Sequence, residues 1–417
     1  MAWFSGRARG TDKTQWRGLG RHLENVVSDS KLTFSVDSLL AEARTRTSGL
    51  EDFGPGPFLE PLQLFLSSLE NDAQLNPVGQ YIARERALAH IVNRLLYVND
   101  RTLYPRIAQE KIVKPVFIIG LVRTGSTILH DILAQDPANR APLTWEVTFP
   151  SPPPETASYQ TDPRIARCEA GFPPLDERRE KFKAMHPMGA QLSQECVVMM
   201  GDTMCTPLFH NQFRVTAYQD WVDRAGDWAR VYDFHHKQLQ HLQSRHRGER
   251  WVLKTGAHMW GLEHLLETYP DARIVFTHRD PVKSLTSYAS LTALVRSMGS
   301  DQVDRFEVTE DWNPRLRRAL EHAITVRHAK DYPEAVFYDM RFSEFIRDQF
   351  AVVAQIYEAF DLKMTDEAAA RMKWFIADNP QGKHGIHRYS PEEYGIKPEV
   401  VRREFRPYIE RFGLSPE

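Results

Sequence analysis

Residues 36–110 carry apolar side chains three and four positions apart, in segments such as VDSLLAEARTR and PFLEPLQLFLSSLEN, and read as helical. A turn-rich stretch at 48–57 separates those two segments. The pattern changes at PVFIIG, where residues 116–119 form an unbroken apolar run ending in glycine, the signature of a strand buried on both faces. Ile128, Leu129, Ile132 and Leu133 then share one face of a helix over 126–135. The same strand-then-helix pattern returns at 251–253 and again at 273–276, with the latter followed by a helix from about Val282. A fourth strand is expected at 335–338, followed by a helix striped by Phe342, Phe345, Ile346, Val353, Ile356 and Phe360. Strands alternating with helices predict an α/β fold: a P-loop-like, mostly parallel sheet flanked by helices. The expected organisation is a helical N-terminal extension, 1–110, packed on an α/β domain, 111–417. Within that domain, residues 140–250 break the alternation and read as a helical insert beginning with the proline-stiffened WEVTFPSPPPE.

Composition narrows the function. Hydrophobic residues make up 42%, enough for a substantial core. The 53 basic and 55 acidic residues leave a net charge of −2, so no nucleic acid is expected and any anion site must be local. No apolar run approaches the roughly 20 residues of a membrane span, and the basic N-terminus has no apolar leader core. Cys168, Cys196 and Cys205 form no CxxC and read as reduced thiols. These features predict a soluble, cytoplasmic protein and leave a homodimer open.

The chemistry concentrates where strands end. GLVRTGST, residues 120–127, lies between a strand and a helix. There, backbone amides and the positive end of a helix make a site for phosphate-like oxyanions, and Ser126 and Thr127 add hydroxyls. The two glycines, Gly120 and Gly125, have the spacing of the ATP-type loop GxxxxGK[ST], but Ser126 stands where that loop has lysine, and the cation is at Arg123. An ATP or GTP enzyme needs that lysine and an acid to hold magnesium. The loop therefore favours a different anionic donor.

At this point the chain resembles the sulfotransferases that use PAPS (3′-phosphoadenosine 5′-phosphosulfate), in their bacterial-type branch. PVFIIGLVRTGST is similar to the family's 5′-phosphosulfate loop, written PKSGTT or PRSGTT. Arg123 matches its basic residue, and Thr124, Gly125, Ser126 and Thr127 match the rest of the loop, with Val122 replacing a frequent proline. In IVFTHRDPVKSLTSYASL, Arg279 and Ser287 match the arginine and serine that hold the 3′-phosphate; a guanidinium offers that group a planar fork. GKHGIHRYS resembles the basic glycine segment that closes over the same phosphate, which implies Lys383, His384, His387 and Arg388 as further contacts. The neighbouring cations argue against a metal at those histidines, and no metal is expected.

The resemblance covers roughly 112–150 and 250–390 and implies sulfuryl transfer to a hydroxyl, with release of 3′,5′-ADP. Cations must then stabilise the leaving oxygen while a base takes the acceptor's proton. Arg123 and Lys254 are the candidate cations, the latter at the end of a strand in WVLKTGAH. Two bases compete. His258 precedes Arg279 by 21 residues, near the spacing of the catalytic histidine in the cytosolic enzymes. Glu146 follows Arg123 by 23 and matches the glutamate of the tyrosylprotein-type and some bacterial enzymes. Structural roles stand beside these: a hydrogen-bonding histidine, and a glutamate paired with an arginine. The acceptor site is expected in the insert, where Met185, Met188, Met199, Met200, Met204, Phe209 and Phe213 offer a soft apolar surface and Ser151–Pro154 a stiff wall. This points to a small hydrophobic alcohol, phenol or lipid-like acceptor. The rival readings are a P-loop-type nucleoside or small-molecule kinase and a non-catalytic nucleotide-binding module.

Overall fold

The computed structural model describes residues 33–56, 58–172, 182, 188–329, 332–333, 336–380 and 389–417. Strands β1 (Val116–Gly120), β2 (Asn139–Arg140), β3 (Arg250–Lys254), β4 (Arg273–His278) and β5 (Phe337–Arg341) form one sheet in the order β2-β3-β1-β4-β5. Every pairing in it is parallel. The chain leaves the central β1 for one side of the sheet and returns to the other, so the strand order reverses beside β1. Ligands of open α/β sheets collect outside the carboxyl ends of the strands at such a point.

Strand alternation assigns β1 to two layers. Phe117 and Ile119 face one core, together with Trp251, Leu253, Ile274 and Phe276. Val116 and Ile118 face the other, with Val252, Val275 and Met340. Helices Ser126–Leu133, Gln349–Ala359 and Asp366–Asp378 cover the second face. The first face carries a thicker layer built from helices Val36–Arg46, Leu59–Asn71, Pro77–Leu103, Trp228–Gln243, Pro281–Arg296 and Arg305–Ala329. Buried polar contacts tie the early helices to the insert. His90 Nδ1 meets the Asp202 carboxylate at 2.7 Å, Gln238 donates to the same carboxylate at 2.8 Å, and Asn93 donates to the Val147 carbonyl at 3.1 Å.

Two local expectations shift. The last strand lies at Phe337–Arg341 rather than 335–338, because this edge strand is only partly buried and the charged residues of FYDMR hide the apolar signal. The long helix expected after it is two, broken at Asp348, whose carboxylate caps the second by accepting from the Ala351 amide at 2.9 Å. Strand β2 has no apolar run and left no sequence signal. All three cysteines are buried and unpaired, and burial pushes the Cys196 and Cys205 thiols up to about 12. No described helix is long and apolar enough to cross a membrane.

Candidate active site

The loop after β1 is held by close packing. Gly120 has φ +131°, and a Cβ there would lie 2.4 Å from the Thr277 carbonyl oxygen on β4, so only glycine fits. Gly125, at φ +82°, precedes the Ser126–Leu133 helix, and a Cβ there would press on Phe342 at 3.0 Å. Between them the Thr124 side chain turns into the protein, 2.8 Å from the Leu121 carbonyl and 2.5 Å from the Thr277 hydroxyl. Thr124 thus fixes the loop from behind, while Arg123, Ser126 and Thr127 line a cavity in front.

Lys254 ends β3 beside Ile118 of β1 and points at the same helix start. Its ammonium donates to Thr127 Oγ1 at 3.0 Å and to the Glu195 carboxylate at 2.5 Å. Glu195 also lines the cavity, just ahead of the Cys196–Met200 helix. Sequence reasoning missed it, since one acid before an apolar run reads as an ordinary helix start.

The structure brings the two arginines together. Arg123, at φ +65°, donates through Nε to Ser287 Oγ at 3.2 Å, and Arg279 Nη1 donates to the Arg123 carbonyl at 2.9 Å. Burial lowers the pKa of Arg123 below its usual value. Arg279 stacks its guanidinium 3.9 Å from the Phe342 ring centroid and pairs with Glu417 through Nη2 at 2.8 Å. Its neighbour Asp280 instead caps the Pro281–Arg296 helix, accepting from the Val282 amide at 3.0 Å. Lys383, His384, His387 and Arg388 lie outside the described residues. Tyr389, which comes directly after them, is near enough to act on the charge of Arg123.

Neither expected base faces the cavity. His258 is fully buried on the far side of its 3-10 turn, Gly256–Trp260, with its ring against Phe117 and Tyr232. Its Nδ1 meets the Tyr232 hydroxyl at 2.8 Å, and burial holds its pKa well below 6.5. The glycine in KTGAH starts a turn that aims Gly256, Ala257 and Trp260 at the cavity and His258 at the core. Glu146 is equally buried. It pairs with Arg140, accepts from the Leu143 amide at 2.8 Å and from the Tyr159 hydroxyl at 3.1 Å, and so closes the Thr144–Thr148 helix start.

The cavity encloses about 380 Å³. Of the described residues in the expected methionine and phenylalanine surface, only Met188 lines it. Met199, Met200, Met204, Phe209 and Phe213 are core residues, Phe209 stacking on Phe65 at 4.3 Å; Met185 lies outside the described residues. The proline segment is also elsewhere: Arg164 ties it down, donating to the Phe149 and Pro152 carbonyls at 2.9 and 2.5 Å. The apolar wall comes instead from Val197, Val198 and Leu208 of the insert, with Trp260, Leu291 and Trp312 from the α/β part.

A parallel sheet whose central strand feeds a glycine loop, with a lysine and a carboxylate at its mouth, is the architecture of a P-loop-like group-transfer enzyme. The sequence profile of the sulfotransferase family matches residues 115–366, and the chain belongs to that family: it is a sulfotransferase. It is 30% identical to the sulfotransferase STF1 of Mycobacterium tuberculosis H37Rv, whose crystal structure superposes with a TM-score of 0.78 over 89% of this chain and 98% of that one. STF9 of Mycobacterium avium is 26% identical, with a TM-score of 0.83 over 94% of this chain and all of that one. The omega-hydroxy-beta-dihydromenaquinone-9 sulfotransferase Stf3 of Mycobacterium bovis is 24% identical over 343 residues, 78% of this chain and 82% of that protein.

Proposed function

We propose that this sulfotransferase moves the sulfuryl group of PAPS to the hydroxyl of an apolar, lipid-like acceptor and releases 3′,5′-ADP. The observation that carries this is the Lys254–Glu195 pair, set between the glycine loop and the apolar cavity. The residues present fit the donor. Gly120 and Gly125 leave a backbone cradle that a Cβ would fill, and Ser126 and Thr127 add hydroxyls at its mouth. Arg279 already holds a carboxylate, that of Glu417, in its fork; the same fork suits the 3′-phosphate, with Ser287 and Arg123 beside it. Bound there, the donor supplies an electrophilic sulfur and a phosphate leaving group.

Glu195 accepts the proton of the acceptor hydroxyl as its oxygen bonds to sulfur. The bond from sulfur to the bridging oxygen of the 5′-phosphate breaks, and Lys254 neutralises the charge that collects there. The pair thus separates into its two roles, base and electrostatic stabiliser, once both substrates are seated. Walls such as Val198 and Leu291 exclude water, which limits hydrolysis of the donor. An acceptor with an apolar body is what such walls select, in keeping with the omega-hydroxy-beta-dihydromenaquinone-9 in the name of Stf3.

The test is nucleotide selectivity and then transfer. 3′,5′-ADP should raise the melting temperature well above ADP, and radiolabelled PAPS should label a hydrophobic alcohol or phenol. Equal stabilisation by ATP with magnesium, and no label transfer, would replace this reading by a kinase.

A further inference from the structure

Arg86 is a charge that the transfer reaction does not use. It sits on the Pro77–Leu103 helix and lines the same cavity as Glu195 and Lys254. The cations around it are satisfied. Arg84 pairs with Glu42 at 2.7 Å, and Glu85 with Arg46 at 2.8 Å, both against the preceding helix Val36–Arg46. Arg94, two turns on, donates to the carbonyls of Phe53, Pro55 and Asp202 at 2.6, 3.0 and 3.4 Å. Within the cavity, Lys254 and Glu195 neutralise each other and Arg123 engages Ser287. Arg86 alone of these has no hydrogen bond or ion pair with a described residue. Half-buried in the cavity wall, it has a pKa lowered by desolvation, and no described carboxylate stands near enough to oppose this.

A guanidinium partly withdrawn from water, as the half-buried Arg86 is, is usually paired or placed where a ligand pairs it. We infer that Arg86 is the specificity residue for a second polar group on the acceptor, a carboxylate carried at the end remote from the hydroxyl. The inference rests on the acceptor site proposed above. A guanidinium matches a carboxylate with two parallel hydrogen bonds. A neutral carbonyl would leave a net positive charge enclosed, and a dianionic phosphate would exceed the single cation on offer. The acceptor class is therefore an amphiphile with a hydroxyl at the Glu195–Lys254 end, an apolar body against Val198 and Leu291, and a carboxylate at Arg86. A hydroxylated fatty acid has this pattern.

Two measurements on the full chain test this, one without turnover. Dodecanoate, which has no hydroxyl, should raise the melting temperature of the wild type, while its methyl ester should not, and Arg86→Met should abolish the shift. In turnover, a series of ω-hydroxy fatty acids should exceed their methyl esters in kcat/KM by on the order of tenfold or more, as expected for one enclosed charge-assisted contact. Arg86→Met should erase that preference through KM, and Arg86→Lys should keep part of it. Equal binding and turnover of acids and esters by the wild type would overturn the inference, even if Arg86→Met failed to fold. Dodecanoate binding through Arg86 without sulfation of any hydroxy acid would uphold the carboxylate site and sink the acceptor reading instead.

Discussion

The proposed nucleotide end of the site and the proposed acceptor cavity meet at Lys254, yet they are assembled in different ways. The nucleotide end is made at strand termini: Gly120 to Thr127 follow β1, Lys254 closes β3, and Arg279 follows β4 directly. Parallel pairing in register brings these ends together, so short motifs suffice to define them. The cavity instead draws Arg86 from an early helix, Val198 and Leu208 from the insert, and Leu291 and Trp312 from later helices. No motif spans those positions. A site held by strand ends keeps its chemistry through changes elsewhere, whereas a cavity shared among distant helices is free to change its ligand.

The largest effect that would sharpen this contrast is at the junction. Glu195→Gln should lower kcat by roughly 10²–10⁴ and leave 3′,5′-ADP binding intact. His258→Gln should leave kcat of the folded protein near wild type, because that ring lies in the core. A collapse of kcat in the histidine variant with none in Glu195→Gln would reverse the assignment.

Glu146→Gln should act on stability. It leaves Arg140 enclosed without its carboxylate, a loss of about 3–5 kcal/mol for a broken buried pair, read as a lower denaturation midpoint. Per folded molecule, its turnover should stay close to wild type.

On the nucleotide side, Arg279→Ala should remove the preference for 3′,5′-ADP over ADP, a loss of about tenfold or more in affinity. Calorimetry with both nucleotides decides it. Acceptor selectivity should not move.

The smallest effects belong to the cavity. Leu291→Ala or Val198→Ala should shift preference among hydrophobic acceptors several-fold, about 1–3 kcal/mol per reshaped wall, while sparing the nucleotide. Met199→Ala and Phe213→Ala should lower stability instead, since both side chains pack in the core. If those two shifted selectivity and Leu291 did not, the cavity would be misplaced.

The sequence alone determined the sheet and its business end. Three of the five strands, β1, β3 and β4, carry apolar runs dense enough to mark their positions, because a strand buried on both faces has no polar side to show. The loop glycines, Arg123 and Lys254 stood out because they follow strands that the apolar runs mark, whereas Arg279 and Ser287 were named through the family resemblance, and the roles of all of them are proposals. What only the tertiary structure decided was direction. A 3-10 turn points His258 inward, and Arg140 claims Glu146 from six residues away. The methionine stripe packs against Phe65 and its neighbours rather than around a ligand. Glu195 and Arg86 acquire meaning only from the space in front of them. A titratable residue and its spacing are local facts, but whether it meets water, a core or a cavity depends on which distant helix covers it.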